Sequence, residues 1–312
     1  MTLAAWRLTF RLHRFEAFAL VILAFVLTGL AFLVAARLDS IGFTGVCIDR
    51  TGTRPLPVLC EALGQKFYDQ VNREASPVQS FVAIVPYIAA TLLGVAIVGR
   101  EIERGTARLA WSLAPSRRAW FLARLIPIAV LLAVVTFVLG IAADRLLAAS
   151  QPDLDIANAF SGFGSRGVVL AARVLFVFAL AVVIGSVMGR LMPAVIVAAV
   201  VAWFGISGGE RVHNEILQRE TVVVQQEAVG SGDMQFDQRF QLPDGRLIGW
   251  EEMQQLDPPI GDNWQPKYPL VALIIPGARY RQVEAREVGA LGGGMVVAFV
   301  VTALVVARRR PA

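Results

Sequence analysis

The chain has 312 residues, 56% of them hydrophobic, and a formal net charge of +5. A soluble domain carries about 45–50% apolar residues, and here the excess falls in blocks long enough to cross a ~30 Å hydrocarbon core as helices, which excludes an ordinary water-soluble protein. The positive charge does not point to nucleic acid, because the basic residues flank the apolar blocks.

Residues 1–16 place Arg7, Arg11 and Arg14 on one helical face and Trp6 and Phe10 on a neighbouring one. That pattern predicts an interfacial amphipathic helix lying on anionic lipid. The first apolar run, 17–36, is too long for a signal-peptide core and lacks a small-residue cleavage site, so it reads as a retained first span. Segment 37–79 reads as an extracytoplasmic loop holding Cys47 and Cys60, the only cysteines. An oxidising exterior suits a disulfide between them that pins the loop. With only His13 and His213 to supply imidazole, a zinc site is not expected.

The second span covers 80–98 and contains Pro86, and a basic loop follows over 99–124. The third and fourth spans cover 125–143 and 168–188, and the fifth, 191–206, is short for a full crossing. Arg173 is the one strongly charged residue inside a span. It lies about a turn from the end, which points to snorkelling or a structural pairing rather than to substrate contact. Segment 207–287 holds the β-rich Thr221-Val222-Val223-Val224 and the turn sequence Leu242-Pro243-Asp244-Gly245-Arg246. It predicts a small, mostly β extracytoplasmic subdomain. Its apolar end, 268–276, is too short to cross and reads as an interfacial or re-entrant piece. The last span covers 288–307, and its glycines between Gly289 and Gly294 suit close helix packing.

Continuous apolar runs rather than alternation predict an all-α polytopic bundle of six helices. The Arg excess in the N-terminus, the 99–124 loop and Arg308 to Arg310, against a net acidic 207–287 segment, places both termini in the cytoplasm.

The 99–124 loop is the most informative stretch. Gly105 can break the helix leaving span 2, Thr106 can cap a short helix, Pro115 ends it, and Ser116 can cap the helix entering span 3. A short transverse helix results, with charge on one side and Leu109, Trp111 and Leu113 toward the membrane or a partner. A basic hairpin that only obeys the positive-inside rule is the plainer alternative.

The run Arg100-Glu101-Ile102-Glu103-Arg104-Gly105-Thr106-Ala107-Arg108-Leu109-Ala110-Trp111-Ser112, followed by Arg117-Arg118-Ala119-Trp120, resembles the permease subunits of type-2 ABC exporters, of the kind common in actinobacteria. Leu242 to Arg246 resembles that family's exterior domain, and Pro276-Gly277-Ala278-Arg279-Tyr280 its stretch before span 6, with Gly277 and Ala278 where the family usually has Ala-Ser and Arg281 where an aromatic is more typical. The resemblance implies that the 99–124 loop is a coupling helix docking into a cytoplasmic ATP-binding subunit. Glu101, Glu103, Arg104, Gly105, Thr106, Arg108 and Trp111 would make or support that contact. It further implies pairing with a second permease copy or a homologous permease, and ATP and Mg on the partner ATPase rather than on this chain.

No Gly-x-x-x-x-Gly-Lys-Ser/Thr loop is present to cradle phosphates. Ser/His/Asp arrangements, paired intramembrane carboxylates and metal ligands are not evident, so no cofactor or enzyme activity is expected of this chain. The apolar spans suit an amphiphilic or hydrophobic cargo. The rival reading is a membrane-anchored sensor or assembly factor that binds a ligand or partner through the extracytoplasmic segment. Its weakness is the coupling-loop pattern and the lack of a cytoplasmic output domain.

Overall fold

The structure, a computed structural model, describes residues 14–44, 47–48, 58–112, 114–258 and 266–309. The expected amphipathic helix over 1–16 falls almost wholly outside the described residues, as do Leu113 and the Arg108 side chain. Six helices are long and apolar enough to cross a membrane. The first is α1, Arg14–Ile41. The second is one continuous rod in which α2, Val58–Gln70, passes through a π-helical turn, Val71–Ala75, into α3, Ser76–Glu103. A short α4, Ala107–Ser112, precedes the long α5, Arg117–Ser150. Then come α6, Gly167–Met188, and α7, Leu191–Gln218.

The central helix is α6, packed against α3, α5, α7 and α9, the last being the C-terminal helix Tyr280–Arg308. Apart from Arg173, α6 is apolar on every side, and a helix with no face for water goes to the middle. Val169, Leu170, Val174, Val177, Phe178 and Val182 of α6 are all buried. Its contact with α3 is backbone-close, because a Cβ at Gly94 would lie 2.6 Å from the Phe178 carbonyl oxygen and one at Gly185 2.6 Å from that of Val95. With no hydrophobic drive between helices in lipid, such small-residue packing supplies the attraction. The expected packing role of the C-terminal glycine tract holds only at Gly294, whose Cβ position faces the Phe176 ring; Gly289, Gly292 and Gly293 face open space.

The helices exceed the expected spans at their ends. Segment 37–79 is not a plain loop, because α2 and the π turn extend the second span outward and pack on the end of α1. There Phe43 stacks on Phe67 at 4.7 Å and meets Tyr68 edge-on. Cys47 and Cys60 are disulfide-bonded with Cα atoms 5.3 Å apart, tying the residues after α1 to α2. A membrane-impermeant maleimide added to intact cells is expected to label this pair only after reduction. Labelling without reductant would show free thiols, and no labelling after reduction and unfolding of the exterior would place the pair on the other side.

Segment 207–287 begins as helix, since α7 continues to Gln218. The sheet that follows has four antiparallel strands in the order β1-β4-β2-β3: β1 Val222–Gln225, β2 Met234–Gln241, β3 Leu247–Ile248 and β4 Leu270–Ile275. The β2–β3 turn uses Gly245 at φ 83, and Asp244 Oδ1 accepts from the Arg246 N–H. The Arg246 guanidinium holds the Asp244 carboxyl below its ordinary range. The stretch expected to be interfacial or re-entrant is β4, an inner strand paired on both sides; its apolar run reads as a buried strand because both faces are covered. A seven-residue helix α8, Trp250–Leu256, closes a small core of Phe240, Leu242, Ile248 and Met253.

The up-and-down course gathers the chain into two ends. At one, the sheet end, Asp39 pairs with Arg145, Arg37 with Glu74 and Arg166 with Asp144. At the other, the loop end, Arg100 pairs with Glu16, and Arg117 donates to the Ala307 and Arg309 carbonyls, so the described chain starts and finishes on the same side of the bundle.

Candidate functional site

Two constellations stand out, one at each end of the bundle. At the loop end, α3 stops at Arg104, and Gly105 takes the left-handed conformation, φ 69, that turns the chain into α4. Ser116 caps α5 by accepting from the Ala119 N–H at 3.1 Å. Among the residues expected at a partner interface, several are bonded within the chain. Glu101 accepts from Arg124 at 2.6 Å and from the Thr106 hydroxyl at 2.6 Å. Glu103 accepts the Leu191 backbone N–H at 3.1 Å, so it caps the N-terminus of α7, where unpaired N–H groups and the helix dipole favour a carboxylate.

Trp111 is buried, meets Trp120 edge-on at 6.1 Å and lies under the Arg117 guanidinium at 4.8 Å. Trp120 carries Arg124 in the same way. These contacts anchor α4 on the bundle and leave Arg104, Gly105, Thr106 and Leu109 on its exposed edge. Trp111 therefore supports the loop from within. Sequence alone shows a tryptophan in the loop but not the two arginines that roof the pair.

At the sheet end Arg173 of α6 is 11% exposed and paired rather than snorkelling. Its Nε donates to Glu287 of α9 and its Nη1 to Glu210 of α7, each at 2.6 Å. Gly164 makes room for the guanidinium, since a Cβ there would overlap it. His213, one turn beyond Glu210, stacks on Phe163 at 5.9 Å and places Nε2 3.6 Å from Glu287 Oε2. Glu210, His213 and Glu287 were all expected in the extracytoplasmic segment. The helices that hold spans 5 and 6 run past 206 and begin before 288, and these charges meet Arg173 across the helix contacts. Two carboxylates thus meet on one cation, Glu210 at 49% exposure and Glu287 at 9%.

Two cavities flank the cluster. One of about 500 Å³ lies between α6, α7 and α9, and one of about 640 Å³ is lined by α3, α6 and α7, including Tyr87, Phe163 and Trp203. Arg173 and Glu210 line both, so their ion pair stands at the partition. Just outside, Arg286 donates to both carboxylate oxygens of Glu220, at 2.6 and 3.0 Å, and holds that carboxyl below its usual range.

A bundle of six helices long and apolar enough to cross a membrane reads as a multi-pass membrane protein. The family described as ABC-2 membrane transporter related matches residues 17–207, and the chain belongs to that family. No curated protein and no solved structure matches the chain. The family makes this chain the membrane component of an ABC transporter.

Proposed function

We propose that this chain is the permease subunit of an ATP-driven exporter, worked from below by a separate ATP-binding subunit that docks on α4. In this reading the loop end faces the cytoplasm across a bacterial inner membrane. Two permease copies, or this chain and a homologous one, complete the pathway. The observation that carries the proposal is the mounting of α4. It is fixed to α5 through Trp111, Trp120 and their arginines, and the residue where α3 ends beside it, Glu103, caps α7. A push on the exposed edge is delivered through this rigid mount to the helix that carries Glu210 and His213 at its far end. Closure of the ATP-binding subunits then biases a two-state bundle between inward and outward access. The exposed apolar faces of α7, Met192, Ile196, Trp203 and Phe204, suit lipid or the second permease.

The test is co-purification in detergent with the ATP-binding subunit encoded nearest this gene. Wild type is expected to retain it, and Arg104→Glu/Leu109→Asp, which alters only exposed side chains, to retain at least tenfold less. Glu103→Gln is expected to keep the complex while uncoupling its ATPase activity from the permease. If no ATP-binding subunit associates in any nucleotide state, the exporter reading falls and the sensor or assembly role takes its place.

A further inference from the structure

We propose that Arg309, the residue after α9, is a strap that carries movement of α4 to the end of α6, by a route separate from the Glu103 cap on α7. This deepens the exporter reading and rests on it for calling α4 the input. Arg309 is a positioning residue in that scheme.

The route is a chain of direct contacts. The Arg117 guanidinium carbon lies 4.8 Å from the ring centroid of Trp111 in α4. Arg117 Nη1 donates to the Arg309 carbonyl at 2.7 Å and to the Ala307 carbonyl at 3.2 Å. Arg309 sends its own guanidinium to the end of α6, where Nη1 donates to the Ser186 carbonyl and, at 3.1 Å, to the Val187 carbonyl. A planar guanidinium stacks by its face and donates from its edge at the same time, so Arg117 makes both contacts at once.

Local chemistry explains each link. The last carbonyls of a helix have no partner within it, and the helix dipole there favours a cation. Arg309 meets both needs at α6, and Arg117 meets them at α9. Ser186 is fully buried, so its carbonyl takes this donor in place of water. Gly189, just past α6, has φ 65, and a Cβ there would lie 2.5 Å from Arg309 Nη2 and 2.8 Å from Ile102 Cγ2. The turn is thus gripped between the last turn of α3 and the strap. Glu103 holds the Leu191 N–H just beyond it.

The two holds act on different helices, Glu103 on α7 and Arg309 on α6, so each is needed. Helix α6 is a central rod of 22 residues with Arg173 in its first two turns. A pull on Ser186 and Val187 therefore reaches Arg173, whose pair with Glu210 stands between the two cavities.

The test is hydrogen exchange over residues 186–194, read by mass spectrometry on the full chain alone in nanodiscs, without the ATP-binding subunit. Local opening sets this rate. Arg309→Ala is expected to speed exchange at least threefold. Trp111→Leu is expected to speed it as well, and to add nothing in the Arg309→Ala background, because contacts in series do not add. Arg117→Lys keeps the charge but loses the planar fork, and is expected to match Trp111→Leu should that variant melt early. Glu103→Gln, on the separate route, is expected to multiply with Arg309→Ala.

Unchanged exchange in Arg309→Ala would overturn the strap. Unchanged exchange in both Trp111→Leu and Arg117→Lys, or effects that multiply with Arg309→Ala, would cut the strap off from α4 and overturn the route. A Glu103→Gln effect absorbed by Arg309→Ala would merge the two routes and overturn their separation. Any of these leaves the co-purification result standing. A failed co-purification leaves the exchange result standing and removes only the ATP-binding subunit as the source of the push.

Discussion

Replacing Arg166 with alanine is expected to destabilise the chain by about 1–3 kcal/mol for each buried carbonyl it leaves without a donor. Arg166 is 3% exposed and precedes the first turn of α6. Its guanidinium donates to Asp144 of α5 at 2.8 Å, to the Ser161 carbonyl at 2.9 Å, to the Ile156 carbonyl at 3.2 Å and to the Ala159 carbonyl, and it lies 4.8 Å from the Tyr280 ring centroid. One side chain therefore holds the α5–α6 connection closed and joins it to the start of α9. Asp144→Ala is expected to cost less, because Asp144 is 30% exposed and Arg166 keeps its carbonyl acceptors. Thermal unfolding of both variants in detergent checks the order. Equal losses would reduce Arg166 to its ion pair, and a neutral Arg166→Ala would remove its structural role altogether.

Arg173→Lys is expected to destabilise the sheet end by about 1.5–3 kcal/mol although the charge is kept, because a hydrogen bond to a charged group is lost. The guanidinium serves Glu287 and Glu210 with different nitrogens in two directions. An ammonium is a point donor without that fork. It can satisfy one carboxylate and leaves the other unpaired, and the cost is greatest if that is Glu287 at 9% exposure. Arg173→Met is expected to cost more, and Arg173→Met/Glu287→Gln to recover part of the loss, since the uncompensated charge goes with it. Melting of the three variants in nanodiscs reads the series. A lysine variant as stable as wild type would return Arg173 to a snorkelling role. No recovery in the double variant would break the link between Arg173 and Glu287.

The same cluster shows where reading along the chain stops. Hydropathy ends span 5 at 206 because Gly208, Gly209 and Glu210 follow, and it starts span 6 at 288 because Glu287 precedes it. Both helices run on, since each charge finds its opposite on another helix. Glu101 and Trp111 make the same point at the loop end. Their residue types suit an interface, and the fold uses them internally. Gly277 is a further case. A Cβ there would overlap the Asn158 carbonyl oxygen, and its N–H donates to Asp233 at 2.8 Å, so the glycine answers a turn more than a hundred residues away along the chain.

The sequence by itself determined the membrane bundle, its six helices, the short helix between Gly105 and Pro115 and the small sheet before the last helix, because apolar run length, helix breakers and turn residues act locally. Only the tertiary structure decided which charges are paired, which tryptophan is roofed by arginine, that 270–275 is an inner strand, and that two cavities meet at Arg173. Those depend on contacts between helices distant in sequence. In a low-dielectric interior the partner, and not the residue type, sets whether a buried charge is a cost or a site.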